Sequence, residues 1–588
     1  MLAFRVRSFG LASQRLLPSS LTACLLVVTA CESPPSSDSS TSADETSTTD
    51  ESTDTGDNEP TIICEPGETR CVDTTTIETC APTGLKWDSA PCNAAIAETC
   101  EPCASGEEES CVAACVGPCE RAEGTPSSEG CSFFTTSIYQ YPQPEPLGDA
   151  IIVGNPHPEL SAEVTLTFTP FGSNIEEEVQ TVDLAPRESY AFVLPDDLTE
   201  YSLETSVFRS GLVHHVTSNI PIVAYLHAPY QATQTNGSAL LLPEHVMTGN
   251  YVVYGHKPLS RPSYFVVIAM EDQTTVRWYP TRDTAGDQLP LPFVDAGGSG
   301  EQLMNRLDNM RILTSIKNDP VVCQEDLSGT VIEADKPVWV LSATRGARIP
   351  FCHQNEVPGC TDTDGGYVDD SCFAGSDLLL EQNLPLEFWG REYIGAASPK
   401  RGDEDHIWRI FAGEDDITIN VDPPQPGTPI QLAARGDWQE LVVPNGTNLR
   451  FSSNKVFMPV QYVSGNYVAD GLGSPAMVQM VPTAQFLDNY VFVTGVGYDP
   501  YNYVQIIREV GGGDIILDDV VVQGLTWENV GDWEVANLAV SEGAHAIRSD
   551  SYFGIVQYGW TNVDTAINNI TAGYAYPGGM KAEVIFIP

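Results

Sequence analysis

From about residue 150 to the C-terminus, apolar and polar residues alternate, and no stretch sustains a 3.6-residue period. YFVVIAMEDQTTVR (264–277) predicts a strand, a turn and a strand, and IWRIFAGEDDITIN (407–420) repeats its form. YVQIIREVGGGDIIL (503–517) is a third version and AIIVGNPHPELSAEVTLTF (150–168) a looser first one, each with Gly, Asp, Asn or Pro between β-branched runs, as in a hairpin. A second element follows each of them, starting at Gly211, Gly329, Gly446 and Gly543, spaced by 118, 117 and 97 residues. It reads as two strands flanking a polar bend, at Ser218-Asn219, Ala334-Asp335, Ser453-Asn454 and Ser549-Asp550. A third element recurs at 237–253, 375–395 and 473–493. The chain is therefore expected to be all-β, with four related units at about 149–249, 250–392, 393–489 and 490–588. Six or seven short strands per unit suit an antiparallel β-sandwich, and a propeller-like ring of sheets is the alternative.

The N-terminal part follows none of this. Residues 1–30 carry Arg5, Arg7 and Arg15, no acid, and an apolar run from Leu21 to Ala30, the make-up of an export signal. The run ends in Val28-Thr29-Ala30-Cys31, which resembles a bacterial lipobox, so Cys31 is the expected lipid attachment site. Glu32 to Pro60 holds fourteen Ser/Thr and nine Asp/Glu with no Lys or Arg. Such a segment buries too little apolar surface to offset its ordering entropy, and residues 31–60 are read as a disordered, self-repelling tether. These features predict a bacterial outer-membrane lipoprotein held at the cell surface by its lipid anchor.

Cysteine usage supports export. A module at 61–131 contains Cys64, Cys71, Cys80, Cys92, Cys100, Cys103, Cys111, Cys115, Cys119 and Cys131, and Cys323, Cys352, Cys360 and Cys372 lie further on. These fourteen form an even set, expected to be disulfide-bonded, since a module this poor in apolar residues needs covalent staples. Cys100 and Cys103 also form a CxxC, but no second CxxC or histidine pair accompanies it to make a zinc site. The loop 361–370, TDTDGGYVDD, offers Asp362, Asp364, Asp369 and Asp370 as hard oxygen ligands around two glycines. Calcium is its candidate ion, although the spacing misses the EF-hand pattern and a solvated acidic loop is the plainer reading of the same residues. No other cofactor is expected.

The 588 residues carry 80 Asp and Glu against 28 Lys and Arg, a formal net charge of −52. That charge excludes a nucleic-acid partner bound by phosphate neutralisation. Motifs for catalysis are missing: there is no G-x-S-x-G, no H-E-x-x-H and no Walker loop. His214 and His215 sit next to each other in an alternating strand, so one is expected to be exposed and the other packed. Two RGD tripeptides, 401–403 and 435–437, fall at expected turns beside repeat strands and are read as chance.

The Gly-Ser-x-x-Leu-Leu-Pro element at 237–243 with its following Tyr-Val strand, Asp-Lys-Pro-Val at 335–338 and Glu-Asp-x-Thr-Thr-Val at 271–276 together resemble the IgG Fc-binding protein N-terminal domain family. The resemblance runs from about Cys131 to Pro588, giving a 132–588 β region, and the layout of leader, acidic tether and cysteine-rich module resembles myxobacterial-type surface lipoproteins. It implies a binding or adhesion protein without catalytic activity, whose partners are extracellular proteins or glycans. An exported glycan-acting hydrolase with a carboxylate pair is the alternative, and a structural envelope-layer protein a third reading.

Overall fold

The computed structural model describes residues 62–102, 113–138, 148–194, 205–231, 236–258, 262–286, 291–315, 326–350, 376–562 and 571–588. The leader, Cys31, the acidic tether, Cys103, Cys111, Cys323, Cys352, Cys360, Cys372 and the four aspartates of the 361–370 loop lie outside the described residues.

Four β units are present, and each is organised by one long strand: Val213–Ala228, Val331–Ala347, Leu449–Val463 and Ala544–Trp560. The two strands expected on either side of the polar bend are thus one strand. In the second unit, Val331–Ala334 pairs with Tyr251–Val252 and with Val276–Tyr279, whereas Val338–Ala347 pairs with Ser263–Ala269 and Asp377–Gln382. The long strand changes most of its neighbours near Ala334-Asp335, so its two halves carry an outer and an inner set of strands within one curled sheet, much as a strand turns the corner of an orthogonal sandwich. Ser263–Ala269 and Thr274–Tyr279 consequently do not form the hairpin that their sequence suggests; both pair with the long strand, on its two different halves. All the described ladders are antiparallel, and the arrangement recurs in each unit. The strand Gly130–Thr136 holds the place in the first unit that Thr248–Val252, Gly390–Gly395 and Leu487–Val493 hold in the others.

The two halves of a long strand differ in sequence for a physical reason. TVIEAD alternates, and its outer set of strands has one wet face; VWVLSATRG is nearly continuous in burial because its inner set is covered on both faces. The second cover comes from the neighbouring units. The inner strands Gly237–Leu241, Asp377–Gln382, Ala476–Gln479 and Gly573–Pro577 pack first on second, second on third, third on fourth and fourth on first, closing a ring. Sandwich and ring are therefore both present, at different levels.

Side chains near the ring centre couple successive units. Gln382 Oε1 accepts from the Leu242 amide at 2.9 Å, and Gln479 Oε1 from the Leu384 amide at 3.0 Å. Asp377 accepts from the amides of Asn236 and Leu378, and burial pushes its carboxyl far above the usual range. The two ends of the β region meet at the fourth-to-first seam, where Ser128 N donates to Met580 O (2.8 Å) and Ala582 N to Pro126 O (2.9 Å). The Tyr-Val motif has a local cause: the hydroxyls of Tyr251, Tyr393 and Tyr490 accept from the amides of Thr248, Gly390 and Leu487, fixing the start of each strand.

The cysteine-rich module is a three-stranded sheet (Thr69–Asp73, Thr76–Cys80, Trp87–Pro91) and a two-stranded one (Thr99–Pro102, Ala113–Val116). Its apolar cluster centres on Cys92, Cys100 and Ala113. Disulfides join Cys64 to Cys80, Cys71 to Cys100, Cys92 to Cys115 and Cys119 to Cys131. Cys100 is thereby bonded to Cys71 and is not half of a CxxC redox pair. The short helix Pro118–Gly124 packs on the first long strand, tying the module to the ring.

Candidate functional site

The seam between the second and third units holds a buried polar cluster flanked by clefts. Two glycines set its width. Gly329 and Gly436, both with φ in the left-handed region (85° and 86°), face each other so closely that a Cβ on Gly436 would stand 2.4 Å from Gly329 O. Beside them Arg409, 2% exposed in its side chain, reaches from the third unit to Asp326 of the second at 2.9 Å. Its guanidinium also donates to Gly255 O (2.8 Å), Ser328 Oγ (3.1 Å) and Glu440 Oε2 (3.1 Å), and stacks on Trp438 at 4.2 Å and Tyr462 at 5.2 Å. Tyr462 completes the group by donating to Gly255 O at 2.7 Å.

A buried charge needs partners of this kind. Burial alone would raise the Asp326 carboxyl, but Arg409 and the Ser328 hydrogen bond hold it below its ordinary value. Burial lowers His256, with the Arg409 charge adding to it, to about 3, so this imidazole is neutral.

Two clefts flank the ion pair. One, of about 600 Å³, is lined by Asp326, Thr281, Arg282, Gln431, Asp437 and Trp438 among others. Its neighbour, about 620 Å³, is lined by Arg409, Glu440, Asp403, Asp405, Ile407 and Val442 among others. Lys257 borders both.

Sequence reasoning passed over Arg409, Asp326 and Trp438. The signal was available in Ile407-Trp408-Arg409-Ile410-Phe411, where an arginine inside an otherwise apolar inner strand has to be buried and paired. The RGD tripeptides belong to the unit contacts. Arg401 is buried against Glu404 at 3.0 Å and stacks on Trp560 of the fourth unit at 5.1 Å; Arg435 pairs with Glu333 of the second. Neither arginine is displayed as a recognition tip would be.

The histidine pair also differs from expectation, because both residues are buried. His214 stacks on Phe168 at 4.7 Å, and burial lowers it to about 3. His215 stacks on Phe134 at 4.0 Å, with Nδ1 2.5 Å from Glu176 Oε1 and Nε2 2.8 Å from Ser132 Oγ. Serine, imidazole and carboxylate stand at the spacing of a hydrolase triad. The serine is nevertheless unsuited to attack: its hydroxyl donates to Glu244 Oε2 at 2.7 Å, and Glu244 is paired with Arg306. A hydroxyl has one proton, and here a second carboxylate takes it, where an oxyanion would meet repulsion.

Among the described residues no group of three or more His, Cys, Asp or Glu is placed to hold a metal ion, and no helix is long and apolar enough to cross a membrane.

The Gly-Ser inner strand, the long strand and their order recur around the ring, and a family model described as IgGFc binding protein matches residues 237–559, more than half of the chain. The chain belongs to the IgGFc-binding protein family. The match starts on the first inner strand and ends within the fourth long strand, so this family's pattern spans the seam that carries the Arg409–Asp326 pair. IgGFc-binding proteins are a binding family and not an enzymatic one. No curated protein and no solved structure matches the chain.

Proposed function

We propose that this IgGFc-binding family member is a lipid-anchored bacterial surface protein whose ring of β units contacts extracellular macromolecules. Family membership carries the binding reading. The rigid ring with clefts at a seam between units supports it, since loops and seams on a fixed scaffold are where recognition resides. The hydroxyl-rich acidic segment after Cys31 would hold the ring away from the lipid surface, and disulfides throughout the module fit an oxidising exterior.

Two experiments test the parts separately. Cys31→Ala should move the protein from the membrane fraction to the soluble one; quantitative membrane partition of that variant would remove the anchor. The purified mature chain, immobilised and challenged with envelope fractions, extracellular-matrix fractions and immunoglobulin Fc, should retain a saturable partner from at least one of them. Retention of none would leave the binding reading without support. Glycan hydrolysis by the same preparation would replace it with the enzymatic one.

A further inference from the structure

We propose that the cleft of about 600 Å³ between the second and third units is a saccharide-binding site, with Trp438 as its platform and Gln431 and Asp437 as its hydroxyl-reading groups. This names a ligand class for the binding function above and rests on that reading. Its volume lies within the range of small-ligand sites, about 300–1,000 Å³.

A sugar ring presents an apolar C–H face and pairs of hydroxyls at its rim. Recognition therefore needs a flat, rigid aromatic surface beside groups that can both donate and accept. Trp438 is half-buried and fixed from within by Arg409 at 4.2 Å and Phe411 at 6.2 Å, so little side-chain freedom is lost when a ring lies on it. Asp437 is oriented in advance: Oδ2 accepts from the amides of Ala433 (3.2 Å) and Ala434 (2.9 Å), leaving Oδ1 as the acceptor for a ligand hydroxyl. Gln431 is exposed on the edge strand Ile430–Leu432 and brings an amide with two donors and one acceptor oxygen. Across the cleft, Thr281, Arg282 and Lys257 come from the second unit. On a chain of net charge −52, the cations Lys257 and Arg282 stand against Asp437 and an Asp326 already paired with Arg409, a local balance of charge around one aromatic ring that suits a hydroxyl-rich ligand, neutral or carrying a uronate. The Arg409–Asp326 pair behind Trp438 gives the floor the rigidity that a designed site would require of its supporting shell.

The test is a printed panel of neutral, uronic-acid and amino-sugar glycans probed with the full mature chain, followed by titration of any hit with the indole fluorescence as readout. At least one glycan class should bind, and Gln431→Ala and Asp437→Asn should each weaken it by about 10-fold while the melting temperature stays unchanged. Trp438→Phe should reduce affinity and abolish the fluorescence change. Because Trp438 also supports Arg409, the two polar variants decide the matter if that variant is unstable. Absence of binding across the panel, or binding indifferent to Gln431→Ala and Asp437→Asn, overturns the inference. Retention of a protein partner alongside a blank panel would sink the saccharide site alone, whereas failure of both would sink the proposed function with it.

Discussion

The ring is sealed differently at two of its seams. Between the second and third units the contact is ionic and narrow: a buried arginine, a buried aspartate and two glycine backbones, with a cleft on either side. Between the fourth and first units it is aromatic. Tyr225 lies 4.8 Å from Tyr576, His227 meets the edges of Tyr574 and Tyr576, and the Tyr225 hydroxyl stands 2.8 Å from the carbonyls of both Val491 and Gly578. One scaffold thus tolerates two chemistries at equivalent joints. The ionic joint depends on every partner being present, while the aromatic one gains from area and can lose a hydrogen bond at modest cost.

That contrast can be broken in steps. Asp326→Ala leaves the buried Arg409 with only the part-exposed Glu440 as counter-charge, and should cost about 3–5 kcal/mol in chemical denaturation, whereas the double replacement Arg409→Met with Asp326→Leu should recover most of the loss. Should the single and double variants be equally unstable, the pair is not what holds the seam.

Acid should act on the aromatic seam next. Burial lowers His227 to about 3, below an unfolded value near 6.5, so the folded state prefers the neutral ring. Its contribution is complete above pH 6.5 and is lost as pH falls towards 3, amounting to roughly 3 kcal/mol by pH 4. His227→Phe should flatten the acid limb of a stability-against-pH curve; an unchanged limb would show that other groups dominate it.

A smaller effect is expected at the glycine contact. Gly436→Ala places a methyl group 2.4 Å from Gly329 O on a left-handed backbone and should cost about 2 kcal/mol, with the nearby indole fluorescence shifting as the seam widens. Tyr225→Phe removes one donor from two carbonyls and should cost about 1 kcal/mol, the least of the four. A penalty larger than that of Asp326→Ala would reverse the ranking of the seams.

Much of this architecture was legible in the chain. The four recurring glycines and the alternating runs mark four β units, and the cysteine spacing marks a stapled module. Alternation gives a strand's faces but not its partners, which is why Ser263–Ala269 and Thr274–Tyr279 looked like a hairpin and are neighbours only through the long strand. The same limit applies to His214 and His215: they point to opposite faces, and only packing reveals that both faces are covered. Ring closure is a contact between the two ends of the β region, beyond the reach of any local pattern. The seam cluster was half visible, since Arg409 stands out in its strand while Asp326 and Trp438 do not.

The pairing of Ser128 with Met580, 452 residues apart, also has a consequence for biogenesis. During synthesis from the N-terminus the first unit is made long before the segment that completes it, and its Tyr225 and His227 face stays uncovered until the fourth unit follows. Closing so long a loop is an entropically late event, slow relative to the folding of each unit. Until Met580 arrives, the chain is an open arc with an apolar end, the form most vulnerable to proteases and to pairing with another copy. Any truncation that removes the last ten residues should therefore be read as a lesion of the first unit as much as of the fourth.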